Sequence, residues 1–179
     1  MMDRLEIKDC LESFRIIADT REQATPAASK RFADFGVPVE RATLSYCDYA
    51  ANITLPDGKP LYDCGATLAP ACVIERKMSL DELAGNLTRN RDRFEREFAR
   101  ATDSGARVFL LVEDASWESI LLHRYRSKFS SAAYKASLTA WMIRYNLTPV
   151  FCRRTTSGQI IREILYRDIK ERLERGEYG

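Results

Sequence analysis

The stretch that most restricts the fold is Val73-Ile74-Glu75-Arg76-Lys77-Met78-Ser79-Leu80-Asp81, where an apolar segment runs without a spacer into a helix start. Cys72, Val73 and Ile74 favour a buried strand, and Ser79 followed by Glu82 has the spacing of a capping box. Three charged residues therefore stand where a strand stops. Side chains two apart on a strand share a face, so Glu75 and Lys77 project together while Arg76 projects the other way. A carboxylate beside an ammonium can hold a divalent cation, orient a water or offset charge developing on a phosphate. Glu-x-Lys is common as a solvated surface pair. Here it follows an apolar strand, and further carboxylates end two other strand-like runs, which raises the chemical reading above the bland one.

Those other runs set the fold class. Phe14 to Ala18 reads as a buried strand ended by Asp19-Thr20-Arg21-Glu22, the usual place for chemistry in an α/β protein. Thr25-Pro26 opens a helix to about Phe35, stopped by Gly36. Val37 to Leu44 and Tyr46 to Ile53 read as two strands, and with the Glu75 strand they suggest an antiparallel meander. Asp48 would then lie on its middle strand, in reach of Glu75. Pro56-Asp57-Gly58 marks a turn within a loop over residues 55–69.

Beyond the central strand, Leu80, Leu83 and Leu87 recur at helical spacing, and Phe94, Phe98 and Ala101 do so again. Arg89, Arg91, Arg93, Arg96 and Arg100 on that second segment read as a solvated face paired with Asp92, Glu95 and Glu97, with one or two free to touch phosphate. Val108 to Asp114 is a continuous apolar run, the pattern of a buried parallel strand. A short helix over 117–122 leads into His123-Arg124-Tyr125-Arg126-Ser127-Lys128, either a phosphate-facing loop or an ordinary exposed one. A helix over 130–145, a strand over 148–152 and a long helix over 155–175 complete the pattern. The wide apolar face of that last helix fits either core packing or a subunit interface. Residues 1–13, a short helix or a loose arm, precede one α/β domain over 14–179.

Length and composition close off other classes. At 179 residues and 45% hydrophobic, the chain supports one core. Its net charge of +2 hides a division: up to Thr88 there are 10 Lys+Arg against 14 Asp+Glu, and beyond it 18 against 12. Chance would produce such a split, and so would an acidic metal site facing a phosphate-binding surface. Five scattered cysteines without a Cys-x-x-Cys read as free thiols in a reducing, cytoplasmic setting. With one histidine, a structural zinc site or a serine-type triad is disfavoured. No apolar run approaches the ~20 residues of a membrane span, and acidic residues stand where a signal peptide needs a basic start.

Asp19-Thr20-Arg21-Glu22, Cys47-Asp48-Tyr49 and Glu75-Arg76-Lys77-x-x-x-Asp81 together resemble the nuclease domain of the XPF-type structure-specific endonucleases, whose signature is Gly-Asp followed at a distance by Glu-Arg-Lys-x-x-x-Asp. Leu110 to Glu113 fits the same pattern, and the resemblance spans roughly Phe14 to Leu173. It implies a restriction-endonuclease-like α/β fold, a central mixed sheet flanked by helices, that cuts DNA, branched or flap structures above all, with Mg2+ or Mn2+. By motif position Asp48 and Glu75 would bind the metal, with Asp19 helping directly or through water and the carbonyl of Arg76 as a further ligand. Lys77 would position or activate the attacking water. Arg21 would contact phosphate or brace the carboxylates, and Arg76 and Asp81 would support the groups around the metal. Asp81 is equally explained as an acidic residue in the first turn of a helix.

The resemblance also implies a homodimer, and the short stretch after Leu173 leads us to expect a separate targeting protein in place of a helix-hairpin-helix module. Cys47 stands where the signature has glycine. The competing reading is a catalytically silent DNA-binding or dimerisation module of the same fold. A silent copy would be expected to lose these carboxylates, and here they remain.

Overall fold

The computed structural model describes residues 2–22 and 25–178. Helix α1 (Arg4–Glu12) precedes β1 (Arg15–Asp19), α2 (Pro26–Phe35), β2 (Val39–Leu44), β3 (Tyr49–Asn52), the two-residue β4 (Thr67–Leu68) and β5 (Cys72–Lys77). Then follow α3 (Leu80–Leu87), α4 (Arg91–Asp103), β6 (Arg107–Glu113), α5 (Trp117–Leu121), α6 (Ser131–Arg144), β7 (Leu147–Cys152) and α7 (Ser157–Glu174). The strands form one mixed sheet in the order β4-β2-β1-β3-β5-β6-β7. Only β3 runs against its neighbours; the other pairings are parallel.

Successive residues on each strand feed opposite cores, as the two-residue period requires. Ile17, Ala50, Val73, Val108, Leu110 and Val112 pack under α3, α4, α5 and α6. Ile16, Ala18, Tyr49, Ala51, Ile74 and Leu111 pack under α1, α2 and α7. The result is a three-layer α/β/α sandwich, the mixed sheet with flanking helices that the motifs imply. On the second face α7 comes so close to α2 that a Cβ on Gly158 would lie 2.8 Å from the Cβ of Asp34. Ile161, Leu165, Ile169 and Leu173 of α7 are buried there, so core packing accounts for the centre of its apolar face. α1, started by an Asp3–Glu6 capping box, lies against α7. No helix among the described residues is long and apolar enough to cross a membrane.

The expected antiparallel meander is not what forms. β2 and β3 are consecutive in the chain, yet β1 lies between them, parallel to β2 and antiparallel to β3. Their link, residues 45–48, must therefore span two strand spacings, roughly 10 Å, over the end of β1. A tight hairpin turn cannot reach that far. Asp48 accordingly sits in this crossover, just before β3, and not on a middle strand. The loop over 55–69 also contains β4, which caps the edge of β2.

Candidate active site

The carboxyl ends of β1, β5 and β6 and the start of the antiparallel β3 meet at one edge of the sheet. On the face under α3 and α4, that edge gathers Asp19, Asp48, Glu75 and Lys77. Glu75 and Lys77 are buried, at 3% and 5% exposure, and the Lys77 ammonium is paired directly with Glu75 Oε1. The same ammonium lies 4.3 Å from the ring centre of Phe94, on α4. Asp48 is tied to β5: its N–H donates to the Ile74 carbonyl at 3.0 Å, and its Oδ2 accepts the Arg76 N–H at 2.7 Å. Among the described residues its Oδ1 accepts no hydrogen bond.

Asp19 is placed beside this group but is turned into another task. Its Oδ1 accepts the backbone N–H and the Nε of Arg21, both at 2.7 Å, and its Oδ2 accepts the Leu44 N–H at 2.7 Å. The Asp19 N–H donates to the Asp48 carbonyl at 2.8 Å, and Arg21 Nη2 donates to the Leu44 carbonyl. Asp19 and Arg21 thus hold down the crossover that delivers Asp48. Arg21 braces a carboxylate, one of its two expected roles, and that hydrogen bond raises its pKa.

A residue that the sequence reading left on a solvated surface completes the group. Glu97 of α4 is 5% exposed, and its Oε1 accepts the Cys47 N–H at 2.7 Å. The Cys47 Sγ and one carboxylate oxygen each of Glu75 and Glu97 all lie within 4.8 Å of one another, near enough to share a cation. Glu97 was legible in principle, since it sits at the helical spacing of Phe94, Phe98 and Ala101 and so on the stripe that faces the core. The arginine pairing expected around it also differs. Among the described residues Arg91 pairs with Glu95, while the exposed Arg89, Arg93, Arg96 and Arg100 form no ion pair. Arg93, Arg96 and Arg100 lie on α4, and Arg100 donates to the Ser45 carbonyl at 3.2 Å.

Glu75 therefore lies near two further carboxylates, Asp48 and Glu97, with the Lys77 ammonium as its direct partner. Burial, and then the charge of Asp48, pushes the Glu75 pKa up to about 8, and the Lys77 ammonium only partly offsets them. Burial likewise raises Asp48 to about 6 against the opposing pull of Lys77. For Lys77, burial is outweighed by Glu75 and Asp48, so its pKa rises and it stays charged. Burial holds the Cys47 thiol well above its ordinary value, with Glu75 adding to the effect. This surplus of buried negative charge fits a divalent cation, and the carboxylate oxygens are donors that suit Mg2+ or Mn2+.

A family model described as the ERCC4 domain matches residues 18–162, which include every residue of this group. The chain belongs to the ERCC4 domain family. Its fold matches that of XPF from Aeropyrum pernix, at 21% identity with a TM-score of 0.58, covering 86% of this chain and 61% of that one. A second structure, XPF from Aeropyrum pernix in complex with DNA, matches at 22% identity with a TM-score of 0.58, covering 88% of this chain and 65% of that one. The chain thus spans less than two thirds of the length of those structures. No curated protein matches it by sequence. Family and fold make it an ERCC4 domain with the α/β fold of the XPF structures.

The remaining motif residues of this ERCC4 domain lie outside the carboxylate group. Arg76 points to the opposite face, where its Nε and Nη2 each donate to the buried Glu113 carboxylate at 2.8 Å. Asp81, in the first turn of α3, accepts the N–H groups of Arg126 and Ser127 at 2.8 and 2.7 Å. It tethers the basic loop after α5 at the helix start, four residues from Lys77. α3 is capped by Ser79 as expected, though Glu82 closes back on the Met78 N–H instead of on Ser79 itself. Cys47 adopts φ 63, the left-handed region, at the position where the signature has glycine.

Proposed function

We propose that this ERCC4 domain is a metal-dependent DNA endonuclease hydrolysing phosphodiester bonds, with branched or flap structures as its substrates. The observation that carries the reading is the gathering of Asp48, Glu75 and Glu97 at one edge of the sheet, with the buried Lys77 ammonium paired to Glu75. Asp48 and Glu75 would hold Mg2+ or Mn2+, with Glu97 joining them, while Asp19 keeps the crossover and so Asp48 in place. Such an ion supplies charge to offset that of the pentacoordinate phosphate and lowers the pKa of the attacking water. With Glu75 engaged by such an ion, Lys77 would orient the water or a phosphate oxygen. Arg93, Arg96 and Arg100 on α4, with the loop that Asp81 tethers, offer cations for the DNA backbone on the rim of the site.

In this reading the nuclease unit takes in α1, which packs against α7, as well as residues 14–178, and the domain works as a homodimer. The half-buried Ile160 and Ile164 of α7 are candidates for the dimer contact, which a solution mass would test.

End-labelled flap, fork and plain duplex DNA, incubated with Mn2+ or Mg2+, test the activity directly. Cleavage should vanish with a chelator and in Glu75→Ala. If no substrate is cut with any metal while the folded protein still binds branched DNA, the silent binding module is the right description.

A further inference from the structure

We propose that the Cys47 thiol is itself a ligand of the divalent cation, making this a mixed oxygen and sulfur site that favours Mn2+ and softer cations over Mg2+. The proposal rests on the nuclease reading for the presence of a cation, and goes beyond it in assigning the donor and the metal preference.

The Cys47 side chain is 1% exposed and aims into the group, with Sγ inside the 4.8 Å cluster of Glu75 and Glu97 oxygens. Among the described residues this sulfur makes no hydrogen bond, whereas the Cys64 sulfur donates to Glu40 Oε2 at 3.3 Å. A buried donor atom without a partner is thus directed at two carboxylates. The backbone that carries it is held on both sides. The Cys47 N–H is held by Glu97, and the next N–H, of Asp48, by the Ile74 carbonyl. The left-handed conformation at φ 63 disfavours any residue with a Cβ. Glycine would hold the same turn without strain but would supply no donor.

Metal–oxygen bonds of about 2.1 Å and metal–sulfur bonds of about 2.3 Å put neighbouring ligand atoms roughly 3 to 4 Å apart. Donors within 4.8 Å reach that spacing by closing about 1 Å, a side-chain adjustment. Coordination exchanges an S–H bond for a metal–sulfur bond, and the proton leaves to solvent. Mg2+ demands oxygen ligands and gains little from a thiolate, whereas softer cations gain from it. Loss of the thiol should therefore cost affinity for the softer ions selectively.

The test uses the full chain, stripped with a chelator and titrated with Cd2+ and Co2+ while near-ultraviolet absorption is recorded. A thiolate-to-metal charge-transfer band should grow to one equivalent in the wild type. It should be absent from Cys47→Ser, Cys47→Gly and Glu75→Gln, each first checked for a cooperative melt. Calorimetry should show Mn2+ still binding to Cys47→Gly, with about one proton fewer released than in the wild type. The ratio of Mn2+ to Mg2+ affinity should fall at least about tenfold in that variant. If the wild type binds Mn2+ in a Glu75-dependent manner with no band, or with one that survives in Cys47→Ser, and the ratio is unchanged in Cys47→Gly, then Cys47 is a buried filler and the proposal is wrong while the nuclease reading stands. If no cation binds the wild type at all, both are wrong.

Discussion

The same edge of the sheet carries two charged groups on its two faces, and they are built on opposite rules. On one face Glu75 is paired with Lys77 and also lies near the carboxylates of Asp48 and Glu97. On the other, the buried Glu113 carboxylate is held by Arg76, with Arg31 at 3.9 Å and Arg154 at 3.5 Å. Arg31 is itself fixed by Glu22 at 2.7 Å and by the Tyr49 hydroxyl at 3.0 Å. Adjacent residues of β5, Glu75 and Arg76, feed the two groups because side chains alternate along a strand. The pKa directions record the difference. Burial raises Glu75 to about 8, whereas at Glu113 burial is outweighed by the Arg76 hydrogen bonds and the pKa is lowered. Charge that the protein satisfies internally reads as structure, and charge that it leaves in surplus reads as a place for a ligand.

The sharpest way to break that comparison is to remove one carboxylate from each face. Glu75→Gln should cut DNA cleavage by at least about 10^3-fold. The metal-free variant should lose less stability than Glu113→Gln, because the repulsion from Asp48 is relieved and Lys77 keeps Asp48 as a counter-charge. Glu113→Gln should behave in reverse, costing about 3 to 5 kcal/mol in denaturant unfolding as Arg76 is left buried without its partner. Its residual activity should follow the folded fraction. Equal destabilisation by the two variants would erase the distinction between the faces.

A pH series separates the faces next. For Glu75, raised from 4.5 to about 8, the stabilisation is fully present below pH 4.5 and is lost as pH rises through about 8. Asp48 adds the same sign between 3.8 and about 6. For the lowered Glu113, stabilisation is present above 4.5 and is lost as pH falls through its folded value. Metal-free protein should therefore lose on the order of 2 kcal/mol between about pH 5 and pH 8. Glu75→Gln or saturating Mn2+ should flatten that slope, as followed by urea unfolding at each pH.

The smallest effect belongs to the tethered loop. The Arg126 side chain is 93% exposed and its ion pair with Asp81 spans 3.3 Å, so Arg126→Ala should change stability by less than about 0.5 kcal/mol. If the loop faces DNA, the same change should reduce the slope of log affinity against log salt by about 0.9.

Much of this was legible in the chain itself. Strand β5 ending in Glu75-Arg76-Lys77, the projection of Glu75 and Lys77 to one face, the Thr25 to Gly36 helix signals and the buried run of β6 follow from residue type and period. Gly36, at φ 63, ends α2 as its sequence position indicated. The meander was misread because adjacency in sequence does not say whether a four-residue link turns back or steps over a strand. Glu97 was misread because an acidic residue among arginines resembles a solvated face, although its spacing put it with Phe94 and Phe98. The departure at Cys47 was visible as a letter, but its consequence was not.

By itself, then, the sequence determined which residues could be chemical and the local periodicity that presents them at strand ends. Tertiary structure decided their company: that β1 lies between β2 and β3, so that Asp19 and Arg21 clamp the crossover; that α4 turns Glu97 inward; and that a left-handed turn aims the Cys47 sulfur at two carboxylates. The physical reason is range. Period and capping act over a few residues, whereas the surplus of buried charge arises from side chains far apart in the chain, such as Asp48 and Glu97, brought together by packing.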